Sequence, residues 1–511
     1  MSGVPFTEDN PCEIVARQPK ALSRPEPIMA SAFGTDAGRA ASLRLIPRIG
    51  GVRMKGRLRV VAVAAAAVVV AGTAAAPVAS ASGQVADAVP IAAEQQICAD
   101  LFTGVFAAPS SEPLAACQWD MSLIHANAAT HARATGAGVR VGLIDSGVDI
   151  SHPDIAPNLD LADSCSFVRS DDPTIIAGLT NPIEAGNGDC SNKAAVQDRS
   201  GHGTHVASIV GAPVNGIGVA GVAPRATLVA LKACTESTFC YGYAVAAALR
   251  YAGDHDIDVV NMSLFADPWL FYCGNDAEQR ALMRELQSAA RYAQQHGVLL
   301  VASTGNEQID IKHPIIDTIS PDGPDDVPIA REVGNNCRIL PGELPGVVTV
   351  NATGPVGFPG YTTNIASYSS VGGDLAAPGG DYFAASNTVQ DAVLAATPIG
   401  GALFRSLDPL NPVFPGITAA AGTAGYIWLN GTSMAAPHVA GVAALIKQLH
   451  PNWNGSALAS AVRRATTPMS CPADWQPLGP DDERLRCFGG SDGHTSFFGA
   501  GLVDAAAATA R

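Results

Sequence analysis

The chain contains 511 residues and has a mass of 52.1 kDa. Apolar residues make up 47% of it and charged residues 15%, whereas an average soluble domain is about 25% charged, so the chain can bury a large core and general disorder is excluded. Its net charge of −15 argues against a basic surface, which excludes nucleic acid as an expected partner.

The first element along the chain is a predicted secretory signal peptide. Basic residues follow Met54, an apolar run covers residues 60–71, and Ala79-Ser80-Ala81 supplies a cleavage motif of small residues. The alternative is an uncleaved anchor helix, which Pro77 and the alanine-rich end of the run disfavour. We therefore expect a secreted, extracellular protein with no stable membrane anchor after signal cleavage.

This signal divides the chain into segments. Signal peptides normally begin at the initiator methionine, so the residues before Met54 are interpreted as an over-long gene start without a folded role. The short segment that follows the cleavage motif contains Cys98 and Cys117. The predicted segments are a leader at 1–53, the signal peptide at 54–81, an N-terminal extension or short pro-region at 82–117, and a single main domain at 118–511.

The cysteines fit an exported protein. Of the 11 cysteines, Cys12 lies in the leader, which leaves an even number in the rest of the chain. No Cys-x-x-Cys pair occurs, so zinc binding and thioredoxin-type redox chemistry are disfavoured. The simplest arrangement joins sequential neighbours, although this many cysteines allow numerous other pairings. The pairs of that arrangement are Cys98 with Cys117, Cys165 with Cys190, Cys234 with Cys240, Cys273 with Cys337, and Cys471 with Cys487.

From residue 139 onward, short apolar runs alternate with longer amphipathic stretches. This alternation predicts the α/β class, with a doubly wound, mostly parallel sheet that carries helices on both faces. Sites in such sheets gather at the carboxyl ends of the strands. Predicted strands cover 139–144, 227–231, 258–262, 298–302 and 347–350, and predicted helical stretches include 205–210, 244–251, 279–295 and one from 433 toward 450. Loop insertions rich in Pro, Gly, Asp and Asn are expected at 163–199, 309–345, 398–425 and 467–495.

Three short motifs follow one another in a fixed order. Asp145 ends a predicted strand, His202 lies in a Gly-His-Gly-Thr-His segment, and Ser433 lies in a Gly-Thr-Ser-Met-Ala-Ala-Pro segment. Each motif alone is modest evidence, but together and in the order Asp, His, Ser they indicate a nucleophilic triad. We predict Ser433 as the nucleophile and His202 as the base that later protonates the leaving amine. Asp145 would fix the imidazole tautomer and stabilise the imidazolium.

These motifs resemble those of the subtilisin (subtilase) family of serine peptidases. The resemblance covers about residues 118–509 and includes the segment 259–264, Thr304-Gly305-Asn306 and Ala377-Pro378-Gly379. It implies a subtilisin-like catalytic domain that hydrolyses peptide bonds in polypeptide substrates.

The resemblance also implies roles for residues around the triad. The Asn306 side chain and the backbone N–H of Ser433 would stabilise the developing oxyanion. Ser263, Leu264 and Gly305 would bind the substrate. The chemistry itself needs no cofactor, but the resemblance places a structural calcium ion at Asp154 and the loop containing Asn215, since oxygen-rich loops suit this cation. A hydrogen-bonded turn without calcium is the open alternative at this position.

The sequence departs from the family pattern at two places. Phe265 follows Ser263-Leu264 where the family has glycine, which predicts a narrowed substrate pocket and restricted cleavage. The segment 82–117 is shorter than a family propeptide and contains two cysteines, so it is interpreted as a retained extension.

The leading hypothesis is a secreted, monomeric serine endopeptidase. Two alternatives stay open at this point: a dedicated maturation protease for one secreted precursor, similar to the mycosins, and a catalytically silent subtilase scaffold that acts as a binding module.

Overall fold

The structure is a computed structural model of the chain, and it describes residues 89–102, 106–323, 326–356, 362–382, 388–405, 417–418, 423–472, 485–489 and 493–510. The predicted leader and signal peptide lie outside these residues. The helices are α1 (Ile91–Phe102), α2 (Trp119–Leu123), α3 (Ala128–His131), α4 (Pro173–Ile176), α5 (His202–Gly211), α6 (Gly242–Asp254), α7 (Ala277–Gln295), α8 (Ala402–Arg405), α9 (Thr432–Leu449), α10 (Gly455–Arg464) and α11 (Ala505–Thr509). The strands are β1 (Val89–Pro90), β2 (Arg140–Asp145), β3 (Cys165–Ser166), β4 (Thr227–Lys232), β5 (Val259–Met262), β6 (Phe271–Cys273), β7 (Leu299–Ser303), β8 (Ile316–Asp317), β9 (Arg331–Glu332), β10 (Cys337–Ile339), β11 (Val348–Val356), β12 (Thr362–Ile365), β13 (Leu375–Pro378), β14 (Val393–Thr397), β15 (Ile417–Thr418), β16 (Gly425–Leu429), β17 (Thr466–Thr467) and β18 (Leu502–Val503).

A large, mostly parallel sheet forms the centre of the fold. Its strands run in the order β17-β18-β13-β11-β7-β5-β2-β4-β3, and β12 pairs with β11. The five predicted strands correspond to β2, β4, β5, β7 and β11, and these lie side by side as parallel neighbours. Apolar runs of this kind form central strands because a parallel sheet is buried on both faces. The predicted α/β fold class is confirmed.

Helices cover both faces of this sheet, as the alternation of side chains requires. Val141 and Leu143 of β2 belong to the same apolar cluster as residues of α5 and α9. Ile144, on the opposite face, belongs to a second cluster with residues of α6 and α7. The predicted helical stretches therefore lie in helices that shield the sheet from water on either side.

The carboxyl ends of neighbouring strands bring polar side chains to one edge of the sheet. Strand β2 ends at Asp145, which is in register with Lys232 at the end of β4. Strand β5 ends one residue before Ser263, and β7 ends three residues before Asn306. This is the edge at which parallel sheets place their functional groups.

The N-terminal segment is part of the folded body. Strand β1 pairs in parallel with β15, in a second sheet of order β1-β15-β16-β14 that the sequence analysis did not predict. Helix α1 buries Cys98 and Phe102 in the main apolar cluster. The carboxylate of Glu94, on the same helix, accepts a hydrogen bond from the indole N–H of Trp428 at 3.1 Å. The contacts of this segment are those of an integrated structural element.

All five disulfides join sequential neighbours, so the predicted pairing is confirmed. The Cys165–Cys190 bridge closes most of the insertion at 163–199. The Cys273–Cys337 bridge joins two antiparallel strands, β6 and β10. These bridges restrict the unfolded chain and thereby stabilise the loop-rich parts of the fold.

The insertions contain more regular structure than expected. The insertion at 309–345 holds β8, β9 and β10, and the insertion at 398–425 holds α8 and β15. These elements are too short for a periodic sequence signal, and their pairing partners lie far away in the chain or within the same insertion. Within the part of the chain that the structure describes, no helix has both the length and the apolar character needed to cross a membrane.

Candidate active site

Asp145 and His202 are joined by a short hydrogen bond. Asp145 is the buried last residue of β2, and His202 is the first residue of α5. The distance between His202 Nδ1 and Asp145 Oδ1 is 2.7 Å. An ionised carboxylate only accepts hydrogen bonds, so Nδ1 carries the proton and Nε2 of the neutral ring can accept one. Burial lowers the pKa of His202, but the charge of Asp145 and its hydrogen bond outweigh burial and raise the pKa above 6.5.

The start of α5 lies very close to the loop after β2. A Cβ atom at Gly203 would come within 2.1 Å of the carbonyl oxygen of Gly147. Only glycine permits this approach, which sets the spacing between the two elements that carry His202 and Asp145.

A buried carboxylate, Asp198, ties these two elements together. Its Oδ1 accepts hydrogen bonds from Ser146 Oγ at 3.0 Å and from the backbone N–H groups of Ser200 and Gly201. Its Oδ2 accepts from the backbone N–H and the hydroxyl of Thr204. Asp198 is not among the residues predicted from the sequence. Its position four residues before His202, in a turn that opens a helix, is the one signal that could have indicated it.

Ser433 lies in the first turn of α9, at the positive end of the helix dipole. Its backbone N–H is among the first four of the helix, which have no partner within the helix. Its Oγ donates a hydrogen bond to the carbonyl oxygen of Ser263 at 3.3 Å. In return, Ser263 Oγ donates to the carbonyl oxygen of Ser433 at 2.8 Å and accepts from Asn261 Nδ2. Two hydrogen bonds thus join the end of β5 to the start of α9.

The side-chain amide of Asn306 has a fixed orientation. Its oxygen accepts hydrogen bonds from the backbone N–H and the hydroxyl of Thr432, both at 2.9 Å. A backbone N–H can only donate, so the atom it meets must be Oδ1. The nitrogen of the amide, Nδ2, is therefore the donor that remains available to a ligand. The Asn306 side chain is exposed and lines the same cavity as Ser433.

One cavity of about 490 Å³ collects the predicted site residues. Its lining includes all seven residues that the sequence assigned to chemistry or substrate binding. It also includes Phe265, the residue at which the sequence departs from the family pattern. The seven are Asp145, His202, Ser263, Leu264, Gly305, Asn306 and Ser433. The structure therefore brings together residues that are separated by up to 288 positions because parallel strands end at a common edge.

The residues predicted for calcium lie elsewhere, around Asp154. Oδ2 of this buried carboxylate accepts hydrogen bonds from the backbone N–H of Val219 at 3.2 Å and from the hydroxyl of Tyr426 at 2.8 Å. Its Oδ1 is buried without a hydrogen-bond partner. Asn215 Oδ1 accepts from the N–H of Ile217, and its Nδ2 donates to the carbonyl of Pro153.

The loop that contains Asn215 donates backbone hydrogen bonds to another carboxylate, that of Glu112. The backbone N–H groups of Gly216 and Ile217 donate to the carboxylate of Glu112 at 2.9 Å. Calcium requires six to eight oxygen ligands, and among the described residues no group of three or more His, Cys, Asp or Glu side chains is placed to hold a metal ion. Calcium also takes backbone and amide carbonyl oxygens, so both the calcium site at Asp154 and Asn215 and the hydrogen-bonded turn stay predictions, and we assign no step of the chemistry to a metal.

The fold and the cavity define an α/β enzyme with a serine, a histidine and an aspartate at the carboxyl edge of a parallel sheet. Comparisons with known proteins agree with this class. The profile of the Subtilase family matches residues 136–501. Subtilisin Savinase of Lederbergia lenta is 28% identical over 393 residues, which are 76% of this chain and 98% of the relative. Subtilisin NAT of Bacillus subtilis subsp. natto is 30% identical over 335 residues, or 65% of this chain and 61% of the relative.

Solved structures show the same fold. A lanthipeptide protease superimposes with a TM-score of 0.52 at 24% identity and covers 77% of this chain and 93% of its own. The epidermin leader peptide processing serine protease of Staphylococcus aureus gives a TM-score of 0.53 at 24% identity, with 79% of this chain and 82% of its own covered. The chain belongs to the subtilase family and is a serine-type endopeptidase with polypeptide substrates.

Proposed function

We propose that the protein is a secreted serine endopeptidase that cleaves peptide bonds through Asp145, His202 and Ser433 and an acyl-enzyme intermediate. The observation that carries this proposal is the 2.7 Å bond between His202 and Asp145 at the wall of the cavity that also contains Ser433. The five disulfides and the secreted character expected from the sequence support an extracellular location.

In the first step, the Ser433 hydroxyl turns from the Ser263 carbonyl oxygen to His202 Nε2, which takes its proton as Oγ attacks the carbonyl carbon of the substrate. Asp145 stabilises the imidazolium that forms. The oxyanion of the tetrahedral intermediate accepts hydrogen bonds from Asn306 Nδ2 and the backbone N–H of Ser433.

In the second step, His202 donates its proton to the leaving amine, and the carbonyl carbon stays bonded to Ser433 Oγ as an ester. A water molecule then enters, gives a proton to Nε2 and attacks the ester. The second tetrahedral intermediate collapses, Ser433 regains its proton from His202, and the carboxylic acid product leaves.

We further propose that residues 89–117 stay with the mature enzyme. Helix α1 is tied to the body by the Cys98–Cys117 bridge, by the pairing of β1 with β15, and by the hydrogen bond from Trp428 to Glu94. Removing it would open the main apolar cluster to water.

A dedicated maturation protease is the second candidate, and Phe265 favours it. This side chain lines the cavity beside Leu264 where the family has glycine, which restricts the set of substrates that fit. The two solved structures described above include a leader-peptide protease, although at their identity they support only the fold.

The test is peptide hydrolysis by the secreted protein and by Ser433→Ala, with intact-mass analysis of each. Ser456→Ala, at an exposed serine of α10, is the matched control. We expect activity in the wild type and the control, none in Ser433→Ala, and a mature N-terminus upstream of residue 89. Equal activity of Ser433→Ala would refute the assigned nucleophile, and a mature chain starting after Cys117 would refute the retained extension.

A further inference from the structure

One part of the cavity wall is built from loops outside the triad motifs, among them the segment that departs from the family pattern. Phe265 and Asp267 come from the segment that replaces the expected glycine, and Asp322 comes from the insertion at 309–345. Phe239 lies in the short loop that the Cys234–Cys240 bridge closes, and it lines the same cavity. This wall is therefore a feature of this chain.

Two carboxyl groups, those of Asp267 and Asp322, meet in this wall. Asp267 is only 4% exposed, accepts a hydrogen bond from the backbone N–H of Cys240, and bonds to Asp322 through its side chain. Burial and the neighbouring Asp322 carboxylate raise the pKa of Asp267 well above its usual range, and burial also raises the pKa of Asp322. Two carboxyls in contact do not ionise together, so the pair holds one proton and one negative charge.

The negative charge of this pair has no basic partner in the described part of the chain. Asp322 Oδ1 is buried and accepts no hydrogen bond. The contrast with Asp317 is direct, because that carboxylate receives the Arg331 guanidinium at 2.7 Å. The cavity lining includes a further carboxyl, Glu307, and no lysine or arginine.

Apolar side chains line the same cavity as the carboxyl pair. Leu264, Phe265, Phe239 and Ile339 all line the cavity that contains Ser433 and the carboxyl pair. A pocket with apolar walls and a carboxylate at one end suits a side chain that has a long aliphatic stem and a cationic tip. Lysine and arginine are the residues with that shape.

We propose that the carboxyl pair of Asp267 and Asp322 receives a lysine or arginine side chain of the polypeptide substrate, an inference that rests on the endopeptidase function proposed above. The substrate cation supplies the partner that the fold does not, and its approach displaces the shared proton to solvent. An apolar side chain in the same place would leave the charge buried and unpaired, and an acidic one would be repelled. Asp267 and Asp322 are then specificity-determining residues.

The test uses matched fluorogenic peptides that carry lysine, arginine, norleucine or glutamate at each position around the cleaved bond. The quantity measured is the ratio of kcat/KM for the lysine peptide to kcat/KM for the norleucine peptide, in the wild type, Asp267→Asn and Asp322→Asn. We expect the wild-type ratio to exceed about 30, the lower end of what loss of one partner costs a buried charge pair. Asparagine can stand in for the protonated carboxyl, so each single variant keeps one negative charge and should lower the ratio only in part. The double variant Asp267→Asn/Asp322→Asn removes the charge and should bring the ratio close to one.

Asp171→Asn is the matched control, because Asp171 is an exposed carboxylate that pairs with Arg169 outside the cavity. It should keep the wild-type ratio. Asp322→Asn is the safer variant, since Asp322 is less buried than Asp267, and labelling of Ser433 by a fluorophosphonate reports whether either variant keeps a formed site. A wild-type ratio near one, or an unchanged ratio in a labelled double variant Asp267→Asn/Asp322→Asn, overturns the proposal and leaves the endopeptidase function intact. Absence of both labelling and cleavage in the folded wild type overturns both.

Discussion

Replacement of Asn306 by alanine tests how the cavity stabilises charge. Two hydrogen bonds from Thr432 hold the amide oxygen, which leaves Nδ2 as the donor available to an oxyanion. That oxyanion exists only in the transition state and the tetrahedral intermediate, so the loss should fall on kcat and leave KM nearly unchanged. We expect kcat to fall by about 10²–10³, the cost of removing one such donor from subtilisin, or roughly 2.7–4 kcal/mol of transition-state stabilisation.

The structure also shows how a second effect could enter. Alanine at position 306 removes the acceptor for the Thr432 backbone N–H, which could shift the start of α9 and with it Ser433. Thr432→Val separates the two effects, because it keeps Nδ2 and the backbone N–H of residue 432 and removes only the bonds of the hydroxyl, one to Oδ1 and one from the Gly305 N–H. We expect Thr432→Val to lower kcat by less than Asn306→Ala does, since each of the two lost bonds is an ordinary hydrogen bond worth about 0.5–1.5 kcal/mol.

The assay is steady-state hydrolysis of one good peptide substrate, with thermal melting of each variant as a check on folding. A fall in kcat of less than tenfold in Asn306→Ala, or a loss that appears mainly in KM, would refute the assigned donor. Equal losses in Asn306→Ala and Thr432→Val would show that the amide acts through the position of α9.

Three further predictions concern the base, the buried ion pair and calcium. Because the pKa of His202 is raised and the base must be neutral, kcat/KM should fall as the pH drops through a value above 6.5. In Asp145→Asn the rate should drop by about 10⁴, and the acidic limb should move to lower pH, since only the charge of Asp198 then opposes the effect of burial on the pKa of His202. Glu184→Gln should lower the free energy of unfolding by about 3–5 kcal/mol in urea titrations, because it leaves the fully buried Lys232 ammonium without its carboxylate partner. Chelation by EDTA should leave the melting temperature unchanged, since the contacts of Asp154 fit a hydrogen-bonded turn.

Each of these three predictions would be contradicted by a specific result. If the acidic limb of the pH profile of Asp145→Asn stays at the wild-type pH, the Asp145 carboxylate does not set the pKa of the catalytic base. A change below 1 kcal/mol in Glu184→Gln would mean that Lys232 finds enough compensation from the carbonyl oxygens of Ser146 and Gln197. A melting temperature that falls with EDTA and recovers with added calcium would restore the calcium interpretation of Asp154 and Asn215.

The sequence was sufficient to predict five strands of the central sheet and seven of the residues that line the cavity. The five strands were predictable because strands buried on both faces read as continuous apolar runs. The triad chemistry requires an aspartate, a histidine and a serine, and the order of Asp145, His202 and Ser433 within their motifs is the one typical of subtilisin. Their meeting at one edge followed from the parallel order of the strands.

The remaining features depend on contacts between distant residues. Asp198 stands in a turn like many other aspartates, and its role became visible only from the five hydrogen bonds that it accepts from Ser146, Ser200, Gly201 and Thr204. The meeting of Asp267 with Asp322 depends on how the insertion at 309–345 folds back over the cavity. The second sheet joins strands more than 300 residues apart, which no local pattern records.

The central claim is that Ser433 is an activated nucleophile. Fluorophosphonate labelling of the folded protein, mapped by mass spectrometry of its peptides, tests this most directly. The account predicts one adduct on the peptide that contains Ser433, absent in Ser433→Ala and formed more slowly in Asp145→Asn. No adduct on the folded wild type, or an adduct that persists in Ser433→Ala, would contradict it.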